Sequence, residues 1–362
     1  MTTDRDLARW RLRSQRLVEP AADAEEVVRT LLAVQAENPS QSAWAVATRT
    51  VAPNAEDLAA ALADGRVLRT HVLRPTWHYV HADDAAWLLE LTAPRVLPTT
   101  DQQLRPIADD LPRLGDLIVA LLAETPDRTR AEVAAALVER GEHLTGQQLM
   151  LLLAHLELHL LVCSGAPRDG EHTYALFADR VPAPRRLDRE EALAELAVRY
   201  LSAHAPATDR DLAYWATLTL TDARRGIAAA GERLASFEHD GRTFWHAADV
   251  AAVAAASAPP EAPAAHLLQV LDEMYRGYQD SRWMLDADGV VSREREATIG
   301  MALVDAQLVA AMRRTLTAKA AVFEIRPHRP LAEAEIGAVH DAAARYAAFL
   351  GLEPRVEFAS AG

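Results

Sequence analysis

Near the N-terminus an apolar stretch, Leu31-Leu-Ala-Val34, runs directly into Gln35-Ala36-Glu37-Asn38-Pro39. The amide of Gln35 both donates and accepts hydrogen bonds, and Glu37 adds a carboxylate acceptor. Two residues apart on an ideal helix, these side chains do not share a face. A terminal turn that unwinds would bring both toward one pocket, and Pro39 already forces Asn38 into an extended or turn conformation. The alternative is a plain helix end, where polar residues are common.

Other chemistry-bearing patterns are weaker. His155 and His159 stand four apart on one expected helix, a spacing that suits zinc. The metalloprotease form needs Glu directly after the first His, whereas Leu156 follows here and Glu157 is out of place. No third ligand follows from the sequence, so the pair reads as partly buried helix residues and no metal is expected. There is no glycine-rich phosphate loop and no Gly-x-Ser-x-Gly elbow. The single cysteine, Cys163, sits where a strand should begin, which excludes a disulfide framework or a thiolate cluster.

The elements that position these residues follow a recurring order. Leu114–Glu124 has helical spacing and ends before Pro126. Thr129 caps a helix over Arg130–Glu139 with Glu132 completing a capping box, and Thr145 caps a long helix through Leu161. Strands at Val162–Ser164 and Thr173–Phe177 flank an Asp169-Gly170 turn. Three helices and a hairpin make the winged-helix pattern. It recurs in Glu190–Leu201, Asp209–Thr217 behind Thr208, and Asp222–Gly231 behind Thr221. Strands Leu234–Glu238 and Thr243–His246 then enclose Asp240-Gly241. A looser first copy has helices at Ala24–Val34, Ser40–Arg49 and Ala55–Ala63, the last capped by Asn54. Strands Val67–Val72 and Thr76–His81 follow, and a further helix starts at Asp83.

The expected fold class is therefore helix-rich α+β: three tandem winged-helix units and a small C-terminal α+β, β-barrel-like unit. The boundaries are 1–110, with the Gln-x-Glu segment, then 111–184 and 185–253. A proline-rich linker over 254–264 leads to the C-terminal unit at 265–362. That last unit is expected to alternate strands (Trp283–Leu285, Val290–Ser292, Val322–Ile325) with a helix over Leu331–Leu350.

Composition is that of an ordinary globular chain of 362 residues, half hydrophobic and one quarter charged. Met1–Trp10 is charged with no apolar run behind it, and the most apolar stretch, Leu149–Cys163, is interrupted by His155, Glu157 and His159. No membrane association is expected, and the cytoplasm is the expected compartment. The formal net charge of −14 runs against a nucleic-acid partner. Screening nevertheless lets an acidic whole carry a basic face, because charges beyond about 8 Å are weakly felt at physiological salt. Arg66, Arg69 and Arg74 lie in a stretch without acids, and Arg313, Arg314, Lys319, Arg326 and Arg329 have only Glu324 among them.

In order along the chain, several segments resemble the AlkZ-like and YcaQ-like winged-helix DNA glycosylases. Trp10-Arg-Leu-Arg-Ser-Gln-Arg-Leu17 is similar to the family's start, and Gln35-Ala36-Glu37 falls where the family carries Gln-x-Gln or Gln-x-Asp. Leu68–His78 resembles its Arg-Gly-Thr-x-His segment. Ala207–Trp215 resembles its third winged helix, and Asp272-Glu-Met-Tyr-Arg-Gly-Tyr278 the start of its C-terminal part. The chain departs from the pattern at Glu37, at Pro75 in place of glycine, and at Asp305–Arg313, which lacks the glycines and Trp of Gly-x-x-x-Gly-x-Trp-Arg.

The resemblance implies excision of alkylated purines or unhooking of crosslinks, in repair or in self-protection of antibiotic producers. Double-stranded, alkylated DNA would be the partner, with no cofactor, no metal and no obligate protein partner. It assigns catalysis to Gln35 and Glu37, phosphate contacts to Arg69, Arg74 and Arg313, further backbone contacts to Arg13 and Arg16, and the lesion pocket to Thr76 and His78. Lys319, the sole lysine, is far from the Gln-x-Glu segment in sequence, which points to a monofunctional enzyme. Two other readings stay open: a DNA-binding regulator without chemistry, and a scaffold that has lost DNA affinity, to which the net charge lends weight.

Overall fold

Helix α1 (Asp4–Ser14) starts in a capping box between Thr3 and Asp6, and α2 (Ala24–Leu31) is capped by Asp23. The structure, a computed structural model, describes residues 2–249, 262–291 and 300–359. The apolar run expected to carry α2 on to Val34 instead changes conformation at Leu32, whose φ is 68°. Ala33–Gln35 then forms strand β1. A non-local ladder overrides the local helical spacing, since β1 lies antiparallel to a later strand with Gln35 opposite His78.

Helix α3 (Pro39–Ala47) has Pro39 in its first turn, where a missing N–H costs nothing, and α4 (Ala55–Ala63) is capped by the Asn54 side chain. Strands β2 (Val67–His71) and β3 (Trp77–His81) complete a sheet of order β1-β3-β2. Its core is filled from α2 and α4 by Val27, Val28, Leu31, Leu58 and Ala61 against Val34, Ala36 and Tyr79.

Helix α5 (Ala82–Leu104) and a 3-10 turn lead to α6 (Leu111–Glu124). Next come β4 (Arg128–Thr129), α7 (Arg130–Glu139), α8 (Gly146–Leu158), β5 (Val162–Ser164), β6 (Thr173–Leu176) and α9 (Phe177–Arg180). The expected capping box Thr129–Glu132 forms, and Thr145 caps its helix as expected, Gln148 completing a second box. Helix α8 ends three residues before Leu161, and Leu160 turns the chain with a φ of 59°.

The next group is α10 (Arg189–Ala203), α11 (Asp209–Trp215), α12 (Leu220–Ala230), β7 (Leu234–His239) and β8 (Arg242–Ala247). Thr219 caps α12, not Thr221, because its hydroxyl reaches the Asp222 N–H. Asp240 and Gly241 both have positive φ, as the tight hairpin requires.

Of the expected linker, 254–261 lies outside the described residues. Beyond it run β9 (Ala265–Leu268), α13 (Glu273–Arg276), β10 (Gly300–Val304), β11 (Gln307–Leu316), β12 (Ala320–Pro327), α14 (Glu333–Phe349) and β13 (Glu353–Phe358). The strand expected at Trp283–Leu285 is instead a 3-10 turn, Arg282–Asp286, whose carboxylate accepts the Val290 and Val291 N–H groups. Val290 and Val291 are not in a strand, and Ser292 lies outside the described residues. The sheet order is linear, β13-β12-β11-β10-β9, which is an open sheet rather than a barrel; α14 covers one face through Val339, Ala343 and Tyr346.

Two contacts tie this sheet to the Gln35 region. Trp44 of α3 stacks on Tyr346 at 4.2 Å and donates Nε1–H to the Leu267 carbonyl at 2.8 Å. Arg49 forms a fully buried two-bond pair with Asp272, at 2.7 and 2.9 Å.

Candidate active site

Gln35 is held at both its backbone and its side chain. Its N–H donates to Glu273 Oε1 at 3.0 Å, and its side-chain oxygen accepts from Arg74 Nη2 at 3.2 Å. With the oxygen engaged, the amide N–H groups are the part left to meet a ligand. Arg74 is aimed by Leu73, a non-glycine residue with a φ of 65°. The same Arg74 nitrogen lies 3.2 Å from His78 Nε2, and His78 Nδ1 lies 3.0 Å from the Thr76 carbonyl. That arrangement assigns the proton of neutral His78 to Nδ1, leaving Nε2 to accept. Burial first, and then the adjacent guanidinium, push the His78 pKa down to about 3.

Beneath Gln35, Glu273 is fully buried, with Oε2 accepting Trp215 Nε1–H at 2.8 Å and lying 3.5 Å from His204 Nε2. Burial alone would raise its pKa, but His204, Arg74 and His78 outweigh it and hold the carboxyl down at about 2. The site therefore rests on a permanent buried negative charge.

Glu37 is exposed. The chain continues extended past β1, with Ala36 N–H donating to the Trp77 carbonyl at 2.7 Å and Ala36 itself in the core. Strand β1 ends at Gln35 and the chain bends at Glu37. Glu37 Oε2 accepts the Trp77 N–H at 3.4 Å, a long bond. Arg69 supports this backbone from below: its Nε–H donates to the Ala36 carbonyl at 3.0 Å and its guanidinium lies 4.5 Å from the centre of the Trp77 ring.

A cleft of about 600 Å³ opens beside Gln35. Arg74 and Thr76 form one wall, Arg95 of α5 and Arg276 of α13 stand at its edges, and Tyr214 and Thr217 close it from α11. No aspartate or glutamate lines it. Burial raises the Tyr214 phenol, but Arg74, Arg282 and Arg276 together draw it below its usual value.

The family described as DNA glycosylase AlkZ-like matches residues 28–349. The chain belongs to the AlkZ-like DNA glycosylase family. An interstrand DNA cross-link repair glycosylase of Streptomyces sahachiroi is 26% identical to it over 277 residues, 70% of this chain and 72% of that protein. The solved structure of Streptomyces sahachiroi DNA glycosylase AlkZ shares its fold, with a TM-score of 0.76 over 99% of both chains at 21% identity.

In this AlkZ-like chain the residues expected to act together are only partly gathered. Gln35, Arg74 and Thr76 line one cleft, His78 bonds to Arg74, and Glu37 stands outside the lining. Arg69 is 7% exposed and bonded to Ala36, so it is placed as a support for the segment rather than as a free phosphate contact. Arg13 and Arg16 face Glu19 at 3.6 Å and Glu26 at 3.9 Å. Arg313 is exposed on β11 and is not among the cleft residues; its neighbour Arg314, on the other face of the strand, reaches the Ser40 carbonyl at 3.4 Å. The turn before it, where the family pattern has glycines, carries Asp305 and Ala306 at φ 51° and 60°.

His155 pairs with Asp101 at 2.9 Å and packs on His159, and among the described residues no group of three or more His, Cys, Asp or Glu is arranged to hold a metal. Cys163 is buried, and burial pushes its thiol well up. Among the described residues no helix is long and apolar enough to cross a membrane.

The sequence reasoning missed Glu273, Arg276, Tyr214 and Arg95. Glu273 and Arg276 lie in the Asp272–Tyr278 segment and Tyr214 in Ala207–Trp215, so the family resemblance had marked their neighbourhoods without assigning them roles. Arg95 carries no local signal.

Proposed function

We propose that this chain is a monofunctional DNA glycosylase that excises N-alkylated purines from duplex DNA. The observation that carries the reading is Gln35 lining an arginine-walled cleft free of acids, with the exposed Glu37 two residues further on.

An N7- or N3-alkylated purine already bears positive charge, so it leaves without a general acid. The C1′–N9 bond breaks with its electron pair passing to the base, and the sugar becomes oxocarbenium-like. Water oxygen then bonds C1′ while its proton passes to the Glu37 carboxylate. Such base assistance is worth about 10²–10⁴-fold. Gln35, its oxygen tied to Arg74, offers N–H donors to the water or the sugar–phosphate. The buried Glu273 carboxylate adds a fixed negative field as positive charge develops on the sugar. Glu37 is one methylene longer than the aspartate of the family pattern, and its exposed position gives it the reach to use that length.

The helix–helix–helix–hairpin groups α2–β3, α6–β6 and α10–β8 read as winged-helix units around this site, within the boundaries 1–110, 111–184 and 185–253. A cytoplasmic setting and a role against DNA-alkylating antibiotics fit the same reading. Unhooking of interstrand crosslinks comes from the name of the Streptomyces sahachiroi relative.

The position of Glu37 outside the cleft lining favours one second reading, a DNA-binding protein without chemistry. Incubation with N7-methylguanine duplex and an assay of released base separates the two. Wild type should release base and Glu37→Ala should lose about 10²-fold or more. No release above background on several alkylated duplexes overturns the enzymatic reading.

A further inference from the structure

We infer that the cleft walled by Arg74, Arg95 and Arg276 is a phosphodiester subsite that grips the DNA backbone beside a displaced nucleotide. The inference rests on the glycosylase reading and extends the phosphate contact expected of Arg74 to Arg95 and Arg276, for which no role has been assigned.

Charge pairing is the first support. Many surface arginines of this acidic protein stand against carboxylates: Arg113 with Glu142, Arg140 with Glu124, Arg168 with Glu132, Arg224 with Asp209, Arg225 with Glu190. In a chain of net charge −14, partners for a guanidinium are abundant. Arg74, Arg95 and Arg276 form no ion pair among the described residues, and whereas unpaired arginines such as Arg105, Arg130 and Arg210 are exposed on other elements, these three converge on one concavity. Three like charges around a space that no carboxylate lines repel one another, the buried Glu273 near Arg74 offsetting them only in part, and a bound anion reverses the sign of that interaction.

Unmet hydrogen-bonding groups are the second support. Arg74 Nε, Arg276 Nε and Thr76 Oγ1 are buried and have no hydrogen-bond partner in the protein. Native proteins leave few such atoms, so three around a single cleft mark a place completed by a ligand.

Backbone strain is the third. Thr217, a β-branched residue at the end of α11, has a φ of 54°, and Leu73, next to Arg74, has a φ of 65°. Left-handed conformations at such residues are unfavourable and concentrate where a ligand is held. Both flank the cleft.

A cleft of about 600 Å³ is of the size that takes a small ligand or one nucleotide unit rather than an intact duplex. Planar guanidiniums from three separate elements suit the tetrahedral oxygens of one phosphate or of two consecutive ones. The Tyr214 hydroxyl supplies a further donor. Gln35 shares the cleft, so a gripped phosphate holds the adjoining sugar at the Gln-x-Glu lip.

The test pairs changes in the protein with changes in the DNA. Binding is measured by fluorescence anisotropy on a duplex with a tetrahydrofuran abasic analogue, then on duplexes in which single flanking phosphates are replaced, one at a time, by neutral methylphosphonate. At one or two positions the replacement should weaken wild type about tenfold. Arg95→Ala and Arg276→Ala should weaken the unmodified duplex to a similar degree, should flatten the salt dependence by about one unit each, and should make the methylphosphonate at that position nearly silent. Arg95 is exposed and unpaired, so its variant keeps the test valid if Arg276→Ala lowers the thermal midpoint.

Methylphosphonate effects that persist undiminished in both variants, or that occur at no position, overturn the subsite. Base release by wild type on N7-methylguanine duplex is followed in parallel. Release with no coupling between arginine and phosphate sinks the subsite alone. Coupling without release from this or other alkylated duplexes keeps the subsite and sinks the glycosylase reading.

Discussion

Glu273 Oε1 accepts the backbone N–H of Gln35 at 3.0 Å, across 238 positions of sequence. One buried carboxylate thus couples the C-terminal part of the chain to the strand that carries the candidate catalytic amide, and its other oxygen holds Trp215 of α11. The cleft exists because these three segments meet on Glu273.

Glu273→Gln tests this directly. A glutamine keeps one acceptor but presents an NH2 to whichever donor faces its other end, leaving a buried N–H of Gln35 or Trp215 opposed. Such a loss costs about 1–3 kcal/mol. The expected outcome is a lower denaturant midpoint together with a fall in single-turnover base release. A variant with both unchanged would refute the coupling.

Glu157 plays a comparable part from the second helical group. Its fully buried carboxylate accepts the His71 N–H at 2.9 Å and also contacts His71 Nδ1, while the His71 ring packs 4.5 Å from Trp77. Trp77 in turn donates its N–H to Glu37. Glu157→Ala should destabilise the fold by about 1–3 kcal/mol through the unpartnered His71 N–H. It should also slow base release more than it weakens duplex binding. Equal losses in both measurements would mean the residue acts only on folding.

Acid should destabilise the protein through His78. In the unfolded chain this imidazole binds its proton near pH 6.5, and in the folded protein only near pH 3. Between those values the unfolded state carries the extra proton, so stability rises with pH and falls as pH drops below about 6.5. Glu273, depressed to about 2, acts in the same direction at lower pH, losing its contribution as pH falls from the ordinary carboxylate range toward 2. Thermal midpoints at pH 7.5, 6.0 and 5.0 should decline in wild type and decline less in His78→Gln. Identical slopes would show that His78 is not the group responsible.

Arg49 and Asp272 are both fully buried and joined by two hydrogen bonds. Asp272→Ala strands a buried guanidinium and should cost about 3–5 kcal/mol. Replacing both, as in Arg49→Met with Asp272→Leu, should recover much of that loss, because no uncompensated charge remains. Urea unfolding of the three proteins checks this, and a double variant no more stable than Asp272→Ala would contradict it.

Much of the local architecture was legible in the amino-acid order. The capping box at Thr129, the Thr145 and Asn54 caps and the Asp240-Gly241 turn act over three or four residues, so their chemistry is visible without knowing the fold. The Gln-x-Glu segment could be singled out for the same reason. Its conformation could not: the apolar spacing of Val27–Val34 suits a helix, and only the ladder with β3 makes Ala33–Gln35 a strand and sets Gln35 opposite His78. In the C-terminal sheet, alanine-rich strands such as Gln307–Met312 carry little β signal and are strands because their neighbours pair with them.

What the tertiary structure alone decided is which charges are left unanswered. The family resemblance put Arg69 and Arg74 forward alike as phosphate contacts, yet Arg69 is turned onto Ala36 and Trp77 while Arg74 faces the cleft. Arg95 and Arg276, far apart in the chain and unremarked in it, join Arg74 there. Whether a guanidinium meets a carboxylate or an empty space depends on distances of a few ångströms between segments hundreds of residues apart, and no local pattern encodes that.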